Sequence, residues 1–191
     1  MRLSFLCLCL CWNAVAQAGT IQQTIVFTGV APQAVYADFL SAKEHAAMIG
    51  FPVSFYRPST KAEVAVAEEG DEFHGFGVTG KDGKLHYLLG GRILKMVPGR
   101  EIVMTWRPAA WDQGARPGDG SELACILVLT FTQSGADTQL DLVQTDIPDL
   151  PGGAPQDGNG VVSETSAVNS HWWLHYWTPM QKYFDSRTAK P

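Results

Sequence analysis

The spacing of apolar residues along the chain has two periods. Over residues 161–186 the period is helical: Trp173, Trp177, Met180 and Phe184 recur at steps of four, three and four. Trp172, Tyr176 and Tyr183 widen that stripe, and His171, His175 and Lys182 lie towards the other side. Burying one such side chain is worth about 1.5–3 kcal/mol, so a stripe this aromatic needs a cover. Pro179 removes one backbone donor and predicts a kink, because Met180 and Phe184 continue the stripe beyond it.

Upstream the period is mostly two. Ile21, Gln23, Ile25 and Phe27 share one face of a first strand over 21–27. Pro32 then starts a short helix with Val35, Tyr36, Phe39 and Leu40 on its apolar side. The capping box Ser41-Ala42-Lys43-Glu44 starts a second helix, and Gly50 is placed to end it. Strand patterns cover 61–67, 71–78, 84–97, 101–107, 122–133 and 138–146, with turns at Glu68-Glu69-Gly70, Pro98-Gly99 and Ser134-Gly135-Ala136. Consecutive strands with tight turns predict an antiparallel sheet. The expected fold is α+β: a curved antiparallel sheet of about six or seven strands wrapped on a long C-terminal helix, with two short helices after strand one. Two long loops interrupt it, 108–120 with Trp111 and the proline- and glycine-rich 147–160. Loops of that length serve as lids or connectors.

The first 18 residues stand outside this pattern. Arg2, an apolar run over 3–10 and Ala16-Gln17-Ala18 form a secretory signal. The run is shorter than the roughly 20 apolar residues of a spanning helix, and no later stretch qualifies. The expected organisation is a signal peptide, 1–18, and one domain, 19–191, in an exported (periplasmic or secreted) protein. Three of the four cysteines leave with the signal, so Cys125 has no partner for an internal disulfide. It alternates with Leu123, Leu127, Leu129 and Phe131, which assigns it to a buried strand face. Loss of Arg2 takes the formal net charge from −5 to −6. With no basic stripe, nucleic acid and anionic membrane surfaces are poor partners.

The order and residues of these pieces resemble the START-like, helix-grip superfamily (SRPBCC), and within it the activator of heat shock protein 90 ATPase homologue family in its bacterial stand-alone form. The resemblance is carried by Ala31-Pro32-Gln33-Ala34-Val35-Tyr36, Gly70-Asp71-Glu72-Phe73, Gly90-Gly91-Arg92-Ile93, the run from Leu94 to Val103 with Pro98-Gly99-Arg100, Thr105-Trp106-Arg107, and the helix centre Trp177-Thr178-Pro179-Met180. It implies a helix-grip fold with an apolar cavity between helix and sheet, and it makes the kink at Pro179 part of the design. Two features depart from the family pattern. Trp172 stands where such domains commonly have glycine, so an indole needs or fills space there. The signal peptide separates this chain from a cytosolic chaperone.

Candidate chemistry is sparse. His171 and His175 have the spacing of two zinc ligands, but Trp-Trp-Leu between them lacks the metalloprotease glutamate and nothing nearby supplies a third ligand, so they are weak metal candidates. No nucleophile elbow, P-loop or dinucleotide fingerprint occurs, and no cofactor is expected. Gly75-Phe76-Gly77 and Gly90-Gly91 fall in strand patterns and mark bulges or close packing. Glu72, His74, His86 and Arg107 are candidates to meet as acid, base or anion clamp. The strongest signal is aromatic, with Phe73, Phe76, Tyr87, Trp106, Trp111, Trp172 and Tyr176 as candidate lining of a ligand cavity. Trp172, at the edge of the helical stripe, is assigned to the cavity mouth and Trp173 to the core. The expected function is non-catalytic binding of a small apolar or aromatic molecule. The alternatives are an enzyme of the polyketide-cyclase or hydratase type using a histidine or carboxylate, and a periplasmic protein-interaction module. Because Ala16-Gln17-Ala18 ends the apolar run, N-terminal sequencing of protein extracted from its source should read from Gly19; a Met1 start would remove the export signal.

Overall fold

The computed structural model describes residues 19–78, 83–108, 125–147 and 164–188. The export signal, Trp111 and most of the two long loops lie outside the described residues. The chain runs β1 (Gly19–Phe27), α1 (Pro32–Leu40), α2 (Ala42–Ile49), β2 (Val53–Arg57), β3 (Ala62–Val64), β4 (Glu72–Val78), β5 (Leu85–Val97), β6 (Glu101–Pro108), β7 (Cys125–Ser134), β8 (Asp137–Ile147), α3 (Glu164–Trp172), a π-helical turn (Trp173–Trp177) and α4 (Thr178–Thr188). The strands form one antiparallel sheet in the order β1-β8-β7-β6-β5-β4-β2-β3. The expected α+β helix-grip architecture is present, with eight strands instead of six or seven. The additional strand is β2, five residues between Pro52 and Pro58 of which only Phe55 is buried. The expected strand over 61–67 shrinks to β3 and a single bridge between Ser41 and Val66.

Local signals act where the residues place them. Ser41 Oγ accepts from the Glu44 N–H, and Gly50 ends α2 in the left-handed region at φ 79°. Ile21, Gln23, Ile25 and Phe27 are the buried face of β1, and Cys125 is fully buried on β7. Asp71, at the start of β4, accepts two hydrogen bonds from the Arg57 guanidinium at 2.9 Å each and one from the Glu68 N–H, stapling β2 to the turn before β4. The guanidinium beside it holds the Asp71 carboxyl below the usual carboxylate range. A Cβ at Gly91 would overlap the Thr105 carbonyl oxygen, so glycine lets β5 approach β6 there.

The helical stripe is corrected at its N-terminal end. Trp172 is 1 % exposed and Trp173 is 41 % exposed, the reverse of their expected positions. Trp177, Met180 and Phe184 do face the sheet, and a regular α-helix carried back from them would place Trp173 inward. The π-turn intervenes: the Thr178 N–H bonds the Trp173 carbonyl five residues back, one residue more than an α-turn. That extra residue moves the buried stripe to Val168, Trp172 and Tyr176. The widened turn lies immediately before Pro179, whose ring would press on the carbonyl four residues earlier in a regular helix. Trp172 fills the space that a glycine would leave, stacked on Trp177 at 5.2 Å and 17°.

One polar ring lies inside the core. His45 of α2 is 1 % exposed, in contact with Phe39, stacked on Phe73 at 5.2 Å and edge-on to Tyr176 at 6.1 Å. Nδ1 meets the Phe39 carbonyl at 2.7 Å, which makes it the N–H of the neutral ring, and Nε2 has no partner among the described residues. Burial pushes the His45 pKa down to about 4, against the raising effect of the Phe39 carbonyl.

Two measurements follow from this packing. In urea unfolding, Trp172→Ala should cost about 3–5 kcal/mol, the range for emptying a buried aromatic site. Trp173→Ala should stay within about 1 kcal/mol. Equal losses would contradict the shifted stripe. The second concerns acid. A histidine whose folded pKa lies below its unfolded value of about 6.5 stabilises the protein fully above pH 6.5. That contribution is lost as pH falls from about 6.5 to about 4, and its size is on the order of 3 kcal/mol. His45→Leu should flatten this part of the stability–pH curve; an unchanged slope would show that His45 is not buried as a neutral ring.

Candidate functional site

The candidate site is built where α3 and the π-turn cross the inner face of the sheet. Trp106 enters from β6, Gln144 from β8 and Gln23 from β1, each on the inward phase of its strand. From the helix come His171, Trp172, Tyr176 and Trp177. Trp172 is the hub, with ring centroids 5.4 Å from Trp106, 4.5 Å from Tyr176 and 5.2 Å from Trp177. The two buried indole N–H groups of the helix are satisfied by glutamines: Trp172 donates to Gln144 Oε1 at 2.7 Å, and Trp177 donates to Gln23 Oε1. The Trp106 N–H approaches the Tyr176 hydroxyl, whose pKa is raised by burial despite that contact.

His171 stands beside this cluster, 6.1 Å from the Trp106 ring and 6.4 Å from Tyr176. Its pKa is pushed down to about 4, first by burial and then by His175. The two imidazoles are 4.5 Å apart between centroids, with His175 exposed. Among the described residues no group of three metal-ligating side chains forms around them. The inner cluster is thus made of packed aromatic rings with a few neutral polar atoms among them. It carries no fixed charge in the contacts that surround Trp172.

The residues expected to line one cavity separate onto two faces of the sheet. Trp106, Trp172 and Tyr176 converge on the inner face, and Phe73 lies there against His45 and Phe55. Phe76 and Tyr87 are on the outer face. Gly75 pairs with Leu89 but Phe76 pairs with Tyr87, so Leu88 is an extra residue in β5 and the alternation beyond it is reversed. Tyr87 consequently meets His74 at 5.9 Å and Phe76 at 6.4 Å, with its hydroxyl over Gly90. Burial raises the Tyr87 pKa to about 12. Trp111 lies outside the described residues.

Three of the four candidate titratable residues share that outer face. Glu72 Oε2 is 3.7 Å from His74 Nε2, its other oxygen pairs with Arg92 at 2.9 Å, and Arg107 lies near Tyr87. His74 has a lowered pKa because burial outweighs the carboxylates of Glu72 and Glu63. His86, beside Tyr87 in β5, is directed to the opposite face by strand alternation. Buried polar residues missing from the sequence reading include Gln144 and His45. Gln144 lies at an inward position of β8 between Leu142 and Ile147, where its only signal is an amide in a strand that buries its alternate residues.

Over residues 30–184 the sequence matches the family described as Activator of Hsp90 ATPase homolog 1-like protein. No curated protein matches it. Similar solved structures include a protein of Chromobacterium violaceum at 22% identity, with 90% of this chain and 98% of that chain covered and a TM-score of 0.56. An HSP90 activator from Plasmodium falciparum is similar at 14% identity, covering 83% of this chain and 90% of that one, with a TM-score of 0.51. A Cytophaga hutchinsonii protein shares 12% identity over 90% of this chain and 97% of that one, with a TM-score of 0.58. These identities establish a common fold and nothing finer. With a family match spanning both short helices, β2 to β8 and most of the gripped helix, the chain belongs to the Activator of Hsp90 ATPase homolog 1-like family.

Proposed function

We propose that this protein is an exported, non-catalytic binder of a small apolar or aromatic molecule held between the long helix and the inner face of the sheet. The observation that carries this reading is the cluster of Trp106, Trp172 and Tyr176 with His171 beside it. It lies where the last residues of β6 and β8 meet the junction of α3 with the π-turn. Ring faces gathered at the strand ends, with few polar atoms among them, suit a small-molecule site. Holding His171 neutral keeps that site free of charge at physiological pH.

A second reading, a cyclase- or hydratase-type enzyme, draws on the same His171. An unprotonated imidazole with Nε2 unpartnered is competent to take a proton from a bound ring compound. Its ring neighbours among the described residues are Trp106, His175 and Tyr176. None is a carboxylate able to orient it, so binding is the reading adopted.

The test is titration with N-phenyl-1-naphthylamine, an uncharged apolar fluorophore. Saturable one-site uptake with quenching of tryptophan emission is expected, and His171→Trp should weaken it at least roughly tenfold by filling the approach to Trp106. A linear response up to the solubility limit, or uptake indifferent to that substitution, would leave the aromatic cluster as plain core. Native mass spectrometry of protein from its own source would then identify the natural occupant.

A further inference from the structure

Two tryptophan–glutamine pairs hold the long helix on the sheet, and only one of them is closed. Gln23, which accepts from Trp177, passes its own amide N–H groups to Asn169, at 3.0 Å to the carbonyl and 2.8 Å to Oδ1. Gln144 accepts from Trp172 at 2.7 Å. An indole N–H can only donate, so the oxygen of Gln144 must face it and chemistry fixes the orientation of the amide. Nε2 is thereby committed to the other side, with two N–H donors, in a residue that is 0% exposed. Among the described residues it meets no acceptor. A buried donor left in this state costs stability that an arriving acceptor would restore.

The surroundings restrict what that acceptor is. The ring and hydrogen-bond neighbours of Trp172 are Trp106, Tyr176, Trp177 and Gln144, all uncharged. A carboxylate brought here would leave water without a counter-charge, whereas a carbonyl oxygen would lose far less hydration. The indole and phenol faces favour a flat partner. His171 Nε2, also without a partner among the described residues, belongs to a ring 6.1 Å from Trp106 and is available to a second polar atom on the ligand edge.

We propose that the ligand is a flat, uncharged ring compound that binds through a carbonyl oxygen, which accepts a hydrogen bond from Gln144 Nε2. This rests on the ligand-binding reading above and adds the chemistry of the ligand to it. The residue is a binding and specificity determinant, and its role follows from the one indole that fixes its amide.

The experiment compares 9-fluorenone, fluorene and fluorene-9-carboxylate by tryptophan fluorescence titration of the purified protein. The first two differ only at the carbonyl, and the third adds a charge. Fluorenone should bind at least roughly tenfold tighter than fluorene, and the carboxylate more weakly than either. In Gln144→Met the fluorenone-to-fluorene ratio should fall to about one. Because the ratio is taken within one variant, any loss from the unpaired Trp172 N–H cancels. Gln144→Leu removes both polar atoms at similar volume and should lose the ratio too. Equal affinities in the wild type, a ratio that survives both substitutions, or tightest binding of the carboxylate would overturn the proposal. Failure of all three probes to bind the wild type would overturn the ligand-binding reading itself. If neither variant folds, the ranking of the three probes on the wild type decides.

Discussion

The two stacked indoles of the long helix, Trp172 and Trp177, bring N–H groups that need acceptors into a mostly hydrocarbon core. A buried donor without a partner costs about 1–3 kcal/mol, a large part of the margin of an ordinary domain. Gln23 and Gln144, on the neighbouring strands β1 and β8, supply those acceptors. This fixes the rotation of the long helix about its axis more sharply than apolar burial does, because a hydrogen bond is directional and burial is not. The helix meets both glutamines only because the π-turn inserts one residue between Trp172 and Trp177. Both rings then lie on the sheet side and stack on each other at 5.2 Å.

The sheet makes its own adjustment to receive this helix. At Gly90 and Gly91 the missing side chains let the Tyr87 hydroxyl and the β6 backbone come close. The extra residue at Leu88 then reverses the phase of β5 beyond the bulge. The result is two distinct environments on one sheet. The inner face has stacked indoles, a phenol and neutral imidazoles. The outer face carries Tyr56, His74 and Tyr87 together with the Glu72–Arg92 ion pair.

Burial has the same effect on both inner histidines, keeping His45 and His171 uncharged near neutral pH. The chemistry available at the grip is consequently that of hydrogen bonds from neutral groups and of ring stacking. The ligand proposed for this site would be selected by shape and by the position of a polar atom, with no countercharge offered to an ion. Membership of the family fixes the scaffold, while these particular side chains decide what the scaffold accepts.

The sequence determined whatever depends on local period and local chemistry. The β1 face, the capping box at Ser41, the left-handed stop at Gly50, the buried thiol of Cys125 and the order of elements apart from β2 all follow from neighbours within a few residues. The family resemblance drew on the same information and proved correct. Tertiary structure alone decided the phase of the long helix, because a single added residue in the π-turn exchanges Trp172 for Trp173 and a uniform helical period contains no mark of it. It also decided that Phe76 and Tyr87 belong with His74 on the outside, since the extra residue in β5 becomes visible only when β4 pairs with it. Gln144 acquired its role in the same way. An amide 28 residues before Trp172 becomes an acceptor only when β8 and α3 are brought together, and no period within either segment encodes that meeting.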